Sequence, residues 1–114
     1  MTSEYSWFLT ESAEADLDGF VRYFVLQRTP EHAVTLLDAV DKLGAVLREH
    51  PGLGHPVKNP LLAADNVKKA GIQRLYVVYF QVVAQERAVY GLRVVPAGVD
   101  QDRIESEIVD DLGI

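Results

Sequence analysis

Four cations lie where strand-forming residues begin to dominate the chain: Lys68, Lys69, Arg74 and Arg93. Arginine offers a planar fork of N–H donors and lysine a compact positive charge, so brought onto one surface they would hold a carboxylate or a phosphate. Arg74 precedes the run Leu75-Tyr76-Val77-Val78-Tyr79-Phe80, and Arg93 lies inside Ala88-Val89-Tyr90-Gly91-Leu92-Arg93-Val94-Val95. Two such β-branched and aromatic runs, joined by Ala84-Gln85-Glu86-Arg87, predict neighbouring strands, with one arginine on each. Two readings stay open at this point: a shared site for an anionic ligand, or cations that are separately solvated or paired with helix acids. His32, His50 and His55 have no carboxylate in register and read as surface residues rather than as a metal set. Tyr76, Tyr79 and Tyr90 can stack bases, yet in strands of this composition they read as core or cross-strand partners. There is no Gly-rich phosphate cradle, no Ser-His-Asp arrangement and no pair of acids at a defined site, so neither cofactor nor metal is implied.

The elements that must position these cations follow from periodicity and charge. The 114 residues suffice for one domain with its own core. With no cysteine, a disulfide framework and a thiolate site are excluded, and a reducing, cytoplasmic setting is expected. The longest apolar run, Leu75 to Phe80, is six residues, against the ~20 that a membrane span requires. Glu4 and Tyr5 break any signal-peptide pattern, so a soluble, unprocessed chain without a membrane partner is expected. The net charge of −6 divides unevenly: −5 over residues 1–50, +4 over 51–99 and −5 over 100–114. An acidic tail thus follows a basic sheet.

Tyr5 to Leu9 reads as a first strand, and Thr10 or Ser12 as the cap of a helix whose first turn holds Glu11 and Glu14. Ala13, Leu17, Phe20, Val21 and Phe24 form its apolar stripe. Thr29-Pro30 reads as the start of a second helix with the stripe Ala33, Leu36, Leu37, Val40, Leu43 and Leu47, ending near Arg48. Only Gln27-Arg28-Thr29 separates the two, which predicts an antiparallel hairpin. After the breaker Pro51-Gly52-Leu53-Gly54-His55-Pro56, Val67 to Ala70 reads as a short strand and Gly71 as a tight turn into the long one. The expected fold is α+β: an N-terminal strand, an antiparallel helical hairpin, then a three-stranded antiparallel meander, the two helices covering one face of a four-stranded sheet. Residues 1–99 make the domain, and 100–114 an acidic tail in which Ile104, Ile108 and Leu112, four apart, allow an amphipathic helix docked on the basic sheet or a frayed terminus.

This order of elements resembles the RelE/ParE toxin superfamily, and particular residues agree with its ParE-like branch. They are Leu9-Thr10 followed by Ala13 and Asp16-Leu17, Pro30 followed by Ala33, the loop Pro51-x-x-Gly54-x-Pro56, then Arg74-Leu75-Tyr76-Val77-Val78-Tyr79 and Leu92-Arg93-Val94. The resemblance spans residues 5 to about 96. It departs from the pattern at Pro96, where the family usually has a histidine.

The resemblance implies the toxin of a type II toxin–antitoxin pair, a class tied to plasmid stabilisation and growth inhibition. Its partner would be a cognate antitoxin, of ribbon-helix-helix or another short type, in a hetero-oligomer. RelE-like members cut messenger RNA on the ribosome with clustered Lys and Arg residues and a C-terminal Arg and Tyr. ParE-like members lack that cluster and poison DNA gyrase. Cleaving a phosphodiester needs cations against the developing charge and a placed proton donor or acceptor. After Val95 the only base is Arg103, set among acids, and no Tyr or His follows Tyr90. The expectation is therefore a toxin that binds its target rather than cleaving it, using Lys68, Lys69, Arg74 and Arg93 towards target or antitoxin. The alternatives are an endoribonuclease built on the same four cations and a non-toxic interaction module on the same scaffold.

Overall fold

Thr10 ends the first strand and starts the first helix. Its Oγ1 accepts the Ala13 N–H at 3.3 Å and lies 3.1 Å from the Leu92 carbonyl, fixing helix start to sheet in one residue. The computed structural model describes residues 4–114, so the first three residues of the expected 1–99 domain lie outside the described residues. In chain order the elements are β1 (Ser6–Leu9), α1 (Glu11–Leu26), α2 (Pro30–Glu49), β2 (His55–Pro56), α3 (Pro60–Ala64), β3 (Val67–Ile72), β4 (Tyr76–Val83), β5 (Ala88–Pro96) and α4 (Gln101–Leu112). The sheet runs β1-β5-β4-β3-β2, with β1 parallel to β5 and the other neighbours antiparallel. The α+β fold, the hairpin and the meander are as the sequence predicts.

Three details differ. The sheet has a fifth strand, because His55 and Pro56, inside the expected loop, pair with Lys69 and Lys68. Gly71 is a strand residue facing Val77, and the turn falls at Gln73 and Arg74, both with positive φ (54° and 59°). Positive φ at both central residues matches the twist of a tight hairpin but strains non-glycine residues by about 1 kcal/mol each. A bond from the Gln73 side chain to the Thr35 carbonyl at 3.3 Å helps hold the turn. Thr29 precedes α2 as expected, but its hydroxyl donates to the Phe24 carbonyl rather than capping the helix, leaving the proline at the helix start to fix the boundary.

The hairpin lies on one face of the sheet, where Leu17, Leu36 and Val40 meet Ile72, Tyr76, Val78 and Val94, and Leu47 meets Phe80 and Val89. Leu37, expected in this stripe, is 39% exposed. Two glycines admit Trp7 between α2 and β5: a Cβ on Gly44 would stand 2.5 Å from its indole, and one on Gly91 3.0 Å. On the opposite face α3 and α4 close a second core of Val67, Tyr79, Leu92, Val95, Ile104 and Ile108. The tail is thus a helix, capped by Asp100 at its start and by left-handed Gly113 (φ 71°) at its end. Among the described residues, no helix is long and apolar enough to cross a membrane.

Candidate functional site

The register of the meander brings two of the four expected cations to one level. Lys69 pairs with Tyr79, and Tyr79 with Arg93, so the three residues form a transverse row across β3, β4 and β5. Arg93 reaches this level because β5 carries an extra residue: Tyr79 faces Arg93 while Phe80 faces Gly91, leaving Leu92 unpaired in a bulge. Lys68, one residue along β3, turns away, and its Nζ donates to the Gly52 carbonyl at 2.7 Å. Arg74 is not on a strand beside Arg93, as its place in the apolar run suggests. It sits in the turn beyond the Ile72–Tyr76 pair, three rungs from the row, and enters no ion pair among the described residues.

Every member of the row is bonded to α4. Lys69 Nζ donates to Gln101 Oε1 at 2.7 Å, Tyr79 OH lies 3.2 Å from both Gln101 Oε1 and Glu105 Oε2, and Arg93 Nη1 donates to Glu107 at 2.8 Å. Arg93 also grips Asp16 of α1 through Nε at 2.8 Å and Nη2 at 3.1 Å. The same carboxylate takes the Val94 N–H at 2.8 Å, where β5 has outrun its β1 neighbour. Asp16 therefore satisfies an open strand edge and anchors the guanidinium in one contact.

Glu105 is 1% exposed and, among the described residues, meets no cation; its other oxygen accepts the Asn59 N–H at 2.7 Å, ahead of α3. Burial first, then the charge of Glu105 and its hydrogen bond, holds the Tyr79 hydroxyl far above the usual tyrosine range. It therefore serves as a neutral donor. The Asp16 hydrogen bond, followed by the opposing effect of burial and then the bond to Glu107, leaves Arg93 more basic than a free arginine. The Arg93 hydrogen bond in turn pulls Glu107 below the ordinary glutamate value. As built, this row holds carboxylates, and both of its cations are engaged.

Away from the row, an open cleft of about 660 Å³ lies between α1 and the β3–β4 turn, lined by Phe20, Tyr23, Phe24, Leu75, Tyr76 and Pro96 among others. Tyr23 and Leu75 are 58% and 62% exposed, a costly display of apolar surface for an isolated chain. Of the histidines, His32 stacks edge-on against Phe24, His50 follows α2 and His55 lies in β2. Among the described residues no three metal-binding side chains converge. Reading the sequence singled out the cations but missed the acceptors of the row, which are Asp16, Gln101 and Glu107 for the cations and Glu105 for the tyrosine, and missed Tyr79 as a neighbour. The signal available was the excess of acids after residue 99 opposite a basic strand pair.

The fold agrees with the comparisons to known proteins. The chain is similar to a chain of the chromosomal ParDE TA system from P. aeruginosa, at 23% identity and TM-score 0.65, covering 82% of this chain and 97% of that one. It is similar also to a chain of the toxin–antitoxin complex RelBE2 from Mycobacterium tuberculosis, at 19% identity and TM-score 0.57, covering 87% and 98%. These two likenesses bear on the fold. No curated protein sequence matches the chain. The profile of the family described as "ParE toxin of type II toxin-antitoxin system, parDE" matches residues 8–100, from β1 to the start of α4. With most of its length inside that match, the chain belongs to the ParE toxin family of type II toxin–antitoxin systems.

Proposed function

We propose that this ParE-family toxin acts by binding a cellular target, with DNA gyrase as that target, and that a cognate antitoxin neutralises it in a hetero-oligomer within the cytoplasm. One observation carries the preference for binding over cleavage: both cations of the Lys69–Tyr79–Arg93 row are held by side chains of the chain itself, and the Tyr79 hydroxyl is bonded to Gln101 and Glu105. A nuclease needs at least one such group free to exchange a proton. The two similar solved structures come from toxin–antitoxin systems, which supports an antitoxin partner here. The exposed cleft beside α1 supports it too, since Tyr23 and Leu75 stand ready as anchors for an apolar segment. We take residues 1–99 as the toxin domain and residues 100–114 as a separate tail upon it.

Expression without an antitoxin should arrest growth, and the purified chain should inhibit gyrase supercoiling; normal growth at verified soluble expression removes the toxic reading. A second reading, a ribosome-dependent endoribonuclease, is favoured by one specific feature, the presence of Lys, Tyr and Arg at a single level of the sheet. Primer extension on translated messages distinguishes the two: cuts at fixed codon positions would establish the nuclease, and intact messages alongside blocked supercoiling would establish the binder.

A further inference from the structure

Two arginines occupy places that favour glycine. Arg28 follows α1 with φ 61°, and its N–H bonds the Val25 carbonyl at 3.0 Å while the Thr29 N–H bonds the Phe24 carbonyl at 2.8 Å. That pair of bonds makes the helix ending whose left-handed residue is usually glycine. Arg74, with φ 59°, is the second of two left-handed residues in the β3–β4 turn, where Asn-Gly is the common choice. Arginine at either position carries strain that glycine avoids, and strain of this kind gathers at functional sites.

The two turns meet at one end of the molecule. The Gln73 side chain bonds the Thr35 carbonyl of α2, and Phe24, His32, Gln73 and Leu75 line one pocket there. Arg22, Arg28 and Arg74 are exposed, and none of them enters an ion pair among the described residues. Arg22 stands one helical turn from Leu26, whose side chain is 78% exposed, more than any other large apolar residue described. With Tyr23 and Leu75 beside the cleft, three unpaired cations and three exposed apolar side chains share this end of a chain whose net charge is −6.

We propose that this end, formed by Arg22, Tyr23, Leu26, Arg28, Arg74 and Leu75, is the surface with which the toxin grips its target, and that it fits a protein surface in which an apolar hollow is ringed by carboxylates. An acidic chain with unpaired cations gathered at one end approaches an acidic partner with that end first. A protruding leucine gains only where a hollow takes it out of water. A nucleic-acid backbone neutralises the arginines but leaves Leu26 and Leu75 wet, whereas an acidic hollow on a protein satisfies both. The proposal rests on the reading of the chain as a toxin that acts by binding, and adds the surface and the chemistry of the partner. Tyr23 and Leu75 also border the cleft beside α1, so a segment seated there covers part of this surface.

Two variants of the full chain separate the two kinds of contact. Leu26→Ser removes the most exposed apolar anchor. The pair Arg28→Gly and Arg74→Gly removes two cations and gives both positions the residue that their φ favours, so its urea midpoint should be no lower than that of the wild type. Each variant should raise the concentration that half-inhibits gyrase supercoiling about tenfold or more, and the glycine pair should also flatten the salt dependence of inhibition. Folded variants that inhibit as the wild type does overturn the surface and leave the binding toxin standing. If the wild type leaves gyrase untouched, that target is wrong and growth arrest decides the surface: arrest lost in both variants at equal soluble expression supports it, and arrest retained in either variant, or absent from the wild type, overturns it. A short DNA duplex bound by the wild type and by Leu26→Ser but not by the glycine pair would assign the surface to nucleic acid. A wild-type dimer that Leu26→Ser dissociates would assign it to a second copy of the chain, and either result overturns the proposal.

Discussion

The two faces of this sheet are closed by different means. On the hairpin face, Leu36, Val40 and Leu47 press on Val78, Phe80 and Val89, every one of them almost fully buried and apolar. On the tail face, Ile104 and Ile108 supply most of the apolar burial that α4 contributes, and hydrogen bonds from Lys69, Tyr79 and Arg93 do the rest. An apolar contact holds no titrating group, whereas a charged one is screened by salt and lost when a partner is neutralised. The hairpin face therefore sets the stability of the fold, and the tail face is where that stability can be adjusted.

The largest expected effect breaks the hairpin face. Phe80→Ala removes a fully buried ring from the contact with Leu47 and Val89 and should cost about 3–5 kcal/mol, read as a lower urea midpoint with an unchanged slope. Gly44→Ala should come next. Alanine is the better helix former by about 1 kcal/mol, but its Cβ would stand 2.5 Å from the Trp7 indole. A ring wedged between α2 and β5 has little room to yield, so a net loss of about 1–2 kcal/mol is expected from overpacking. Trp7 is the only tryptophan, and its emission should shift as β1 moves. A net gain in stability would show that β1 is free to slide.

On the tail face the same kind of truncation should do less. Ile108→Ala also empties a buried position, but the loss is limited by the free energy that docks α4, since the helix can undock while the rest stays folded. We expect about 1–2 kcal/mol in global unfolding, with a disproportionate rise in exchange of the α4 amides. A loss as large as that of Phe80→Ala would make the two faces one cooperative unit and erase the contrast.

The boundaries and the hairpin were legible because they are local. Thr10 and Pro30 each mark a helix start through chemistry that acts within three residues, and the stripe of α1 depends only on spacing. The row Lys69–Tyr79–Arg93 was not legible, because it depends on register. A shift of one residue sends a strand side chain to the other face, and two features invisible in single-strand patterns set the register here: a turn without glycine at Gln73–Arg74 and a bulge at Leu92. Gly71 looked like the turn, which drew Arg74 onto a strand it does not occupy. The spacing of Ile104, Ile108 and Leu112 did allow a docked tail helix, yet nothing local says which sheet residues lie beneath it.

The smallest expected effect concerns pH and again separates the faces. Glu107 is pulled below its ordinary value, chiefly by the Arg93 hydrogen bond and, after an opposing desolvation, by the charge of Arg103. A carboxylate with a depressed value in the folded state stabilises that state above its unfolded value, 4.5, and the contribution is lost as pH falls through the lower folded value. Asp16 binds the other side of the same guanidinium, so Arg93 stays attached to α1 when the α4 contact weakens. Acidification below about pH 4 should therefore release α4 before it disturbs the hairpin. Exchange of the α4 amides should rise relative to β4 in the wild type, and Glu107→Gln should already show that rise at pH 7, with little further change on acidification. If α4 and β4 lose protection together in both proteins, the Arg93–Glu107 contact is not what holds the tail to the sheet.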